Sequence, residues 1–123
     1  MEVQRAPHYP LHGRAQLALP NHSVLSGHTL DISVSELCIL LDDQIPLGVV
    51  YSIRFELLLK GEIHVVTALA RSTYGVFASS GGFRVGLAFK DEDPKRAELI
   101  KSLAGKKPMV NATKNSPNLS SSA

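Results

Sequence analysis

From Val49 to Leu59 the chain alternates with a period of two. Val49, Tyr51, Ile53, Phe55, Leu57 and Leu59 are apolar, Ser52, Arg54 and Glu56 fall between them, and Val50 and Leu58 lie towards the two ends. A helix would scatter these apolar residues around its circumference, whereas an extended chain puts every second side chain on one face. The segment therefore predicts a long strand with one buried face. Pro46-Leu47-Gly48 precedes it and Lys60-Gly61-Glu62 follows it. A short turn containing glycine folds the next apolar run, Ile63 to Arg71, back beside it as an antiparallel hairpin.

The same logic extends outward in both directions. Ser79-Ser80-Gly81-Gly82 predicts another reversal into Phe83, Val85, Leu87 and Phe89, with Arg84, Gly86 and Ala88 on the opposite face. Upstream, Arg14 to Leu19 ends at Pro20-Asn21, and Ser23 to Asp31 reads as a further strand. Short strands separated by turns, with no helix between them, predict an all-β sandwich or barrel. One helix is expected after the last strand. Asp93 is a suitable N-cap, Pro94 suits the first helical position, Glu98 adds negative charge near the start, and Leu99, Ile100 and Leu103 form an apolar stripe ending at Gly105. Such a helix would plug or flank one mouth of a barrel. Residues 1–11, with two prolines and no strand pattern, read as a flexible N-terminal arm, 12–105 as the folded unit, and the Lys-, Asn-, Ser- and Pro-rich residues 106–123 as a disordered tail.

Composition narrows the function classes. A chain of 123 residues that is 44% hydrophobic supports one core but not two. Its single cysteine, Cys38, lies in the run Leu37-Cys38-Ile39-Leu40-Leu41 and reads as a small buried hydrophobe. No stretch approaches the roughly 20 apolar residues of a membrane span, and no charged-then-apolar signal opens the chain, so a cytoplasmic protein without membrane insertion is expected. Without secretion, the sequon Asn111-Ala112-Thr113 carries no meaning. A net charge of +2, with no basic run and few aromatics, argues against nucleic-acid binding. Histidines 8, 12, 22, 28 and 64 are scattered without accompanying thiols, so no metal is expected. No nucleophile elbow, phosphate-cradling glycine loop or carboxylate pair is present, so the chain reads as a non-enzyme with no cofactor.

The polar interruption Thr29-Leu30-Asp31-Ile32-Ser33-Val34-Ser35-Glu36-Leu37 carries most of the functional signal. Asp31 and Ser33 are two apart, so on an extended segment they share a face, and a carboxylate and a hydroxyl could grip one ligand. An Asp and a Ser at a strand end also cap turns through local hydrogen bonds and bind nothing.

Taken with the N-terminal arm and the terminal Gly-Phe-Arg-Val-Gly-Leu-Ala-Phe strand, this segment resembles the PilZ family of bacterial cyclic di-GMP receptor domains from Arg5 to about Leu103. The resemblance implies a small antiparallel six-stranded barrel with a C-terminal helix. It also implies a ligand site described by two signatures, Arg-x-x-x-Arg on the arm and Asp/Asn-x-Ser-x-x-Gly at a strand end. Here they read Arg5-Ala6-Pro7-His8-Tyr9 and Asp31-Ile32-Ser33-Val34-Ser35-Glu36, so each keeps its first anchor and loses its last.

Ligand chemistry assigns roles to these positions. Arg5 offers a bidentate fork for a phosphate or for guanine O6/N7. Tyr9, standing where the second arginine is missing, can stack and offer a hydroxyl but brings no positive charge. Asp31 can accept from guanine N1–H and its exocyclic amine, and Ser33 can bond a phosphate oxygen or orient the turn. Glu36 replaces a glycine that would permit positive φ, at an expected cost of about 1–2 kcal/mol and with negative charge beside an anionic ligand. With about 1–3 kcal/mol for a lost bidentate pair, the handicap is roughly 2–5 kcal/mol, or about thirty- to several-thousand-fold in affinity. Arg14, His8 or His12 could stand in for the missing arginine.

Two functions compete. In one, the domain is a weak cyclic di-GMP receptor whose arm closes over the nucleotide and whose altered surface an unidentified protein effector reads. In the other, it is an adaptor that has lost the nucleotide and acts in motility, pilus or biofilm control through protein contacts. Arg5, Asp31 and Ser33 favour the first; Tyr9 and Glu36 favour the second.

Overall fold

A computed structural model of the chain describes residues 6–103. Among the described residues there are seven strands, β1 (Tyr9–Pro10), β2 (Arg14–Ala18), β3 (Val24–Ile32), β4 (Glu36–Leu41), β5 (Val50–Leu59), β6 (Glu62–Phe77) and β7 (Phe83–Phe89), followed by helix α1 (Pro94–Ser102). All the strand pairings are antiparallel, in the order β3-β2-β5-β6-β7-β4, and β4 pairs back onto β3. That last pairing closes a six-stranded barrel and decides between barrel and sandwich. Alternation within each strand is equally compatible with both, because closure depends on which strands meet across the fold.

The interior is the face that the alternation marks. Tyr51, Ile53, Phe55, Leu57 and Leu59 point inward with Leu17, Ile32, Leu37, Ile39, Leu41, Val85 and Leu87, and all are buried. The β5–β6 turn holds Lys60 at φ 53° and Gly61 at φ 80°. Two successive left-handed residues give the turn whose twist matches that of the flanking strands, and glycine takes this conformation without steric cost. β6 runs on to Phe77, well past the Arg71 at which its alternation was expected to end. Its first part pairs with β5 and its last part with β7.

At the N-terminus the structure departs from the reading of residues 1–11 as an arm without strand structure. Tyr9 pairs with Ile32 and Pro10 with Asp31, Leu11 N donates to Leu30 O at 3.0 Å, and Leu11 is buried. β1 thus prolongs the line of β2 along β3, because β3 outruns β2 and leaves ladder groups that the preceding residues satisfy. The expected tail, residues 106–123, lies outside the described residues, as does the helix stop expected at Gly105.

Helix α1 begins as its sequence predicts. The Asp93 carboxylate accepts from the amides of Lys95 (3.0 Å) and Arg96 (3.3 Å), and Pro94 opens the first turn. Glu98 falls beyond that turn, which holds no acidic residue. Ile100 and Leu103 are buried in the barrel core, and Leu99 packs against it half-buried. Arg96 is nearly as buried, a placement its charge gave no reason to expect. Its guanidinium carbon lies 4.2 Å from the centre of the Phe89 ring, and its nitrogens donate to the side chain (3.1 Å) and carbonyl (2.7 Å) of Asp91. A guanidinium is buried at tolerable cost only when its donors are taken up and its face lies on a ring.

Candidate functional site

Two β-bulges shape the outer face of the barrel. Along β3, Gly27 and Thr29 lie on the inward side, and strict alternation would carry Asp31 inward with them. A register shift between Thr29 and Asp31 instead sets Asp31 opposite Cys38 and Ile32 opposite Leu37. Ile32 is fully buried, while the Asp31 side chain stays 39% exposed. Along β6, Val66, Ala68, Ala70 and Ser72 are buried, and alternation would send Tyr74 after them. A second shift, between Ser72 and Tyr74, sets Tyr74 opposite Gly86 and turns it outward. One inserted residue reverses the parity of everything that follows it. Since Cys38 also pairs with Gly86, one outer row runs Asp31, Cys38, Gly86, Tyr74 across four strands. The neighbouring row runs His28, Leu40, Arg84, Val76, with Arg84 exposed.

The residues singled out by sequence are distributed unevenly over this face. Asp31 Oδ1 lies 2.9 Å from His8 Nδ1, so the residue before β1 is seated on the carboxylate. Tyr9 is half-buried and packs against the core. Ser33 is fully buried, and its Oγ accepts from the amides of Ser35 (3.2 Å) and Glu36 (3.1 Å) and lies 3.3 Å from Ser35 Oγ. Ser33 N donates to Glu36 O at 2.8 Å, which closes the reversal. Asp31 and Ser33 therefore do not share one exposed face; the hydroxyl holds the turn. Glu36 is exposed and opens β4 opposite Ala88. It is not among the described residues with positive φ, which besides glycines are His22 and Lys60, so the strain expected of a glutamate in a glycine position is absent. The two amides bound by Ser33 close the turn without a left-handed residue. What Glu36 keeps is its charge. Arg5 lies outside the described residues.

Cys38 is buried, but not in the core. Its thiol lies on the outer face under Tyr74, with Sγ 3.6 Å from the tyrosine Oη. Burial pushes the thiol up, opposed by its bond to Tyr74. The Tyr74 hydroxyl is pushed up to about 12, by burial first, then by its contact with Cys38 and the negative charges of Asp31 and Glu36. An open groove of about 590 Å³, which includes neither Asp31 nor Tyr74, is lined by Arg14, Gln16, Ser26, His28, Leu40 and Arg54, among others. There Arg14 is 3.6 Å from Glu56. Neither Arg14 nor His12 makes a side-chain contact with Asp31, so of the three stand-ins only His8 reaches it. Among the described residues no group of three or more His, Cys, Asp or Glu is arranged to hold a metal, and no helix is long and apolar enough to cross a membrane.

Solved structures with the same barrel and helix are PilZ domains. The Bacillus subtilis inhibitor of motility MotI/DgrA superposes with a TM-score of 0.72 at 11% identity, over 87% of this chain and 54% of the other. Escherichia coli YcgR in complex with c-di-GMP superposes at 0.68 with 17% identity, over 83% of this chain and 44% of the other. The fold is PilZ-like. The isolated PilZ domain of YcgR with c-di-GMP gives 0.59 at 16% identity, over 83% of this chain and 88% of that domain. The chain spans about half the length of the MotI/DgrA chain and less than half that of the YcgR chain. No protein-family model matches the sequence, and no curated protein does.

Nothing in the sequence marks Tyr74 or Arg84 as a site residue. Arg84 was placed on the outward face of β7, and the only further signal was its position in Phe-Arg-Val-Gly, beside the glycine that Tyr74 covers. Tyr74 carried no signal, because the bulge that turns it outward depends on pairing with β7.

Proposed function

We propose that this domain is a non-enzymatic, PilZ-type receptor module for cyclic di-GMP, binding it weakly and relaying occupancy to a protein partner in the cytoplasm. The observation that carries the reading is Asp31, a half-exposed carboxylate turned by a bulge onto the outer face of a PilZ-like barrel. It is supported by the bound c-di-GMP in two structures that share the fold. Asp31 accepts from the guanine N1–H and exocyclic amine, the donor pair that a carboxylate matches and adenine lacks. Arg5 supplies a fork for phosphate or guanine, and Tyr9 borders the site from β1. Exposed Arg84 adds a cation one row away, which offsets Asp31 and Glu36 next to a doubly anionic ligand.

Two features besides the missing second arginine weaken binding in this reading. His8 occupies the carboxylate that guanine needs, so the ligand must displace it. Glu36 adds negative charge without a compensating backbone role. Ser33 acts through the turn, holding the end of β3 in shape rather than touching phosphate. The responsive arm is cut back to the residues before β1, since Tyr9, Pro10 and Leu11 belong to the sheet and the core, and motility, as in the inhibitor MotI/DgrA, is the proposed output.

A second reading, a PilZ-like adaptor without nucleotide, is favoured by one observation. Leu58, Ile63, Val65 and Leu69 are about half exposed or more on the outer face of the β5–β6 hairpin, an apolar stripe suited to a protein contact. Calorimetric titration of the full chain with cyclic di-GMP at near-physiological salt separates the two. Micromolar binding abolished by Asp31→Ala and by Arg5→Ala establishes the receptor. Absence of heat up to about millimolar ligand, an affinity of only about −4 kcal/mol, establishes the adaptor.

A further inference from the structure

The receptor reading accounts for the bulge at Asp31 but not for the one at Tyr74, three strands away in the same outer row. Bulges of this kind re-aim a side chain, and they cluster beside functional sites. The second bulge brings an aromatic ring out of the barrel and lays it back across β7 towards Asp31. A Cβ on Gly86 would collide with Cε2, Cδ2 and Cζ of Tyr74, so the ring rests directly on the glycine backbone. Its hydroxyl reaches on to Cys38, the residue paired with Asp31. One side of the ring is thus held against the sheet, and the residue remains 40% exposed.

Resting on the receptor reading, we propose that Tyr74 is a stacking platform for the guanine base whose Watson–Crick edge Asp31 accepts. A planar base with its edge at Asp31 lies over Cys38, a small side chain already covered by the tyrosine hydroxyl, and reaches the free side of the ring. Nothing bulky stands between them, since the intervening positions are a cysteine and a glycine. The division of labour is chemical. Any base stacks on the ring, because every base has a π-face, and only a base with adjacent N–H donors satisfies the carboxylate. A phenol is protonated at physiological pH in any case, and that of Tyr74 is pushed up further, to about 12, so the platform carries no charge against the phosphates. Arg84, on the adjacent row, is placed to answer a phosphate of the stacked nucleotide.

The test is titration of the full chain with cyclic di-GMP, in wild type and in Tyr74→Phe, Tyr74→Leu and Asp31→Ala variants, with cyclic di-AMP as a second ligand. Loss of a base–aromatic stack lowers affinity by about tenfold or more, whereas Tyr74→Phe keeps the ring and weakens binding by no more than about threefold. Asp31→Ala should erase the preference for guanine over adenine, and Tyr74→Leu should weaken both ligands alike. Because the ring also covers Gly86, a direct measurement stands beside the variants. In the wild-type complex, nuclear Overhauser contacts should connect the Tyr74 ring protons to guanine H8, with upfield shifts of the base protons. Tyr74→Leu binding like wild type, or no contact between ring and base, overturns the platform while leaving the receptor intact. Failure of the wild type to bind cyclic di-GMP overturns both.

Discussion

Two tight reversals in this barrel solve the same problem with different chemistry. Between β5 and β6 the chain turns through Lys60 and Gly61, both with positive φ, so the backbone itself supplies the twist. Between β3 and β4 no such residue is used; Ser33 folds its hydroxyl under the turn and binds the amides of Ser35 and Glu36. The first reversal is specified by residue type, the second by a buried side chain. The difference explains how a chain can carry Glu36 where the family signature has glycine. A turn held by Ser33 needs no left-handed residue, so Glu36 costs the site its charge alone and not backbone strain. The expected 1–2 kcal/mol for that strain does not apply here, and in the proposed receptor the handicap would fall on the missing arginine, the acidic charge and His8.

The comparison is broken most severely by removing the buried hydroxyl. Ser33→Ala removes the acceptor of two amide hydrogen bonds, those of Ser35 and Glu36, and at about 0.5–1.5 kcal/mol each should lower unfolding free energy by about 1–3 kcal/mol in urea denaturation. A loss of only a few tenths would show that the turn is held by its backbone, like the other. Gly61→Ala forces a Cβ into the left-handed region and should cost about 1–2 kcal/mol in the same assay. Glu36→Gly sharpens the contrast further. At a left-handed position glycine would be stabilising, but at the extended start of β4 it should instead lower stability by about 0.5–1 kcal/mol through added chain entropy. The smallest effect belongs to the arm. His8 and Asp31 form a half-exposed pair worth about 0.2–1 kcal/mol, so His8→Ala should leave the melting temperature nearly unchanged while tightening cyclic di-GMP binding by up to about fivefold. Weaker binding in that variant would mean that His8 contacts the ligand rather than competing with it.

How much of this could be read in the sequence varies from residue to residue. The inward faces of β5 and β7 and the cap of α1 follow from local pattern, and each stands as the alternation or the capping residues imply. Asp31 was identified from its spacing to Ser33, yet its outward direction arises from a bulge, and the pairing of those two residues on one exposed face does not occur. Arg96, charged and therefore assigned to solvent by any local rule, is buried because Phe89 and Asp91 are brought to it by the end of β7. Tyr74 would be placed in the core by counting alternate residues.

The sequence by itself determined the buried faces of β5 and β7, the Lys60–Gly61 reversal and the start of the helix, since each depends on residues within a few positions of one another and on the fixed period of an extended or helical chain. Tertiary structure alone decided the closure of β4 on β3, the two bulges, and with them the row that joins Asp31 to Tyr74. A bulge exists only relative to a partner strand, so no single strand encodes it. The outer row from Asp31 to Tyr74 is fixed by register between segments far apart in the chain.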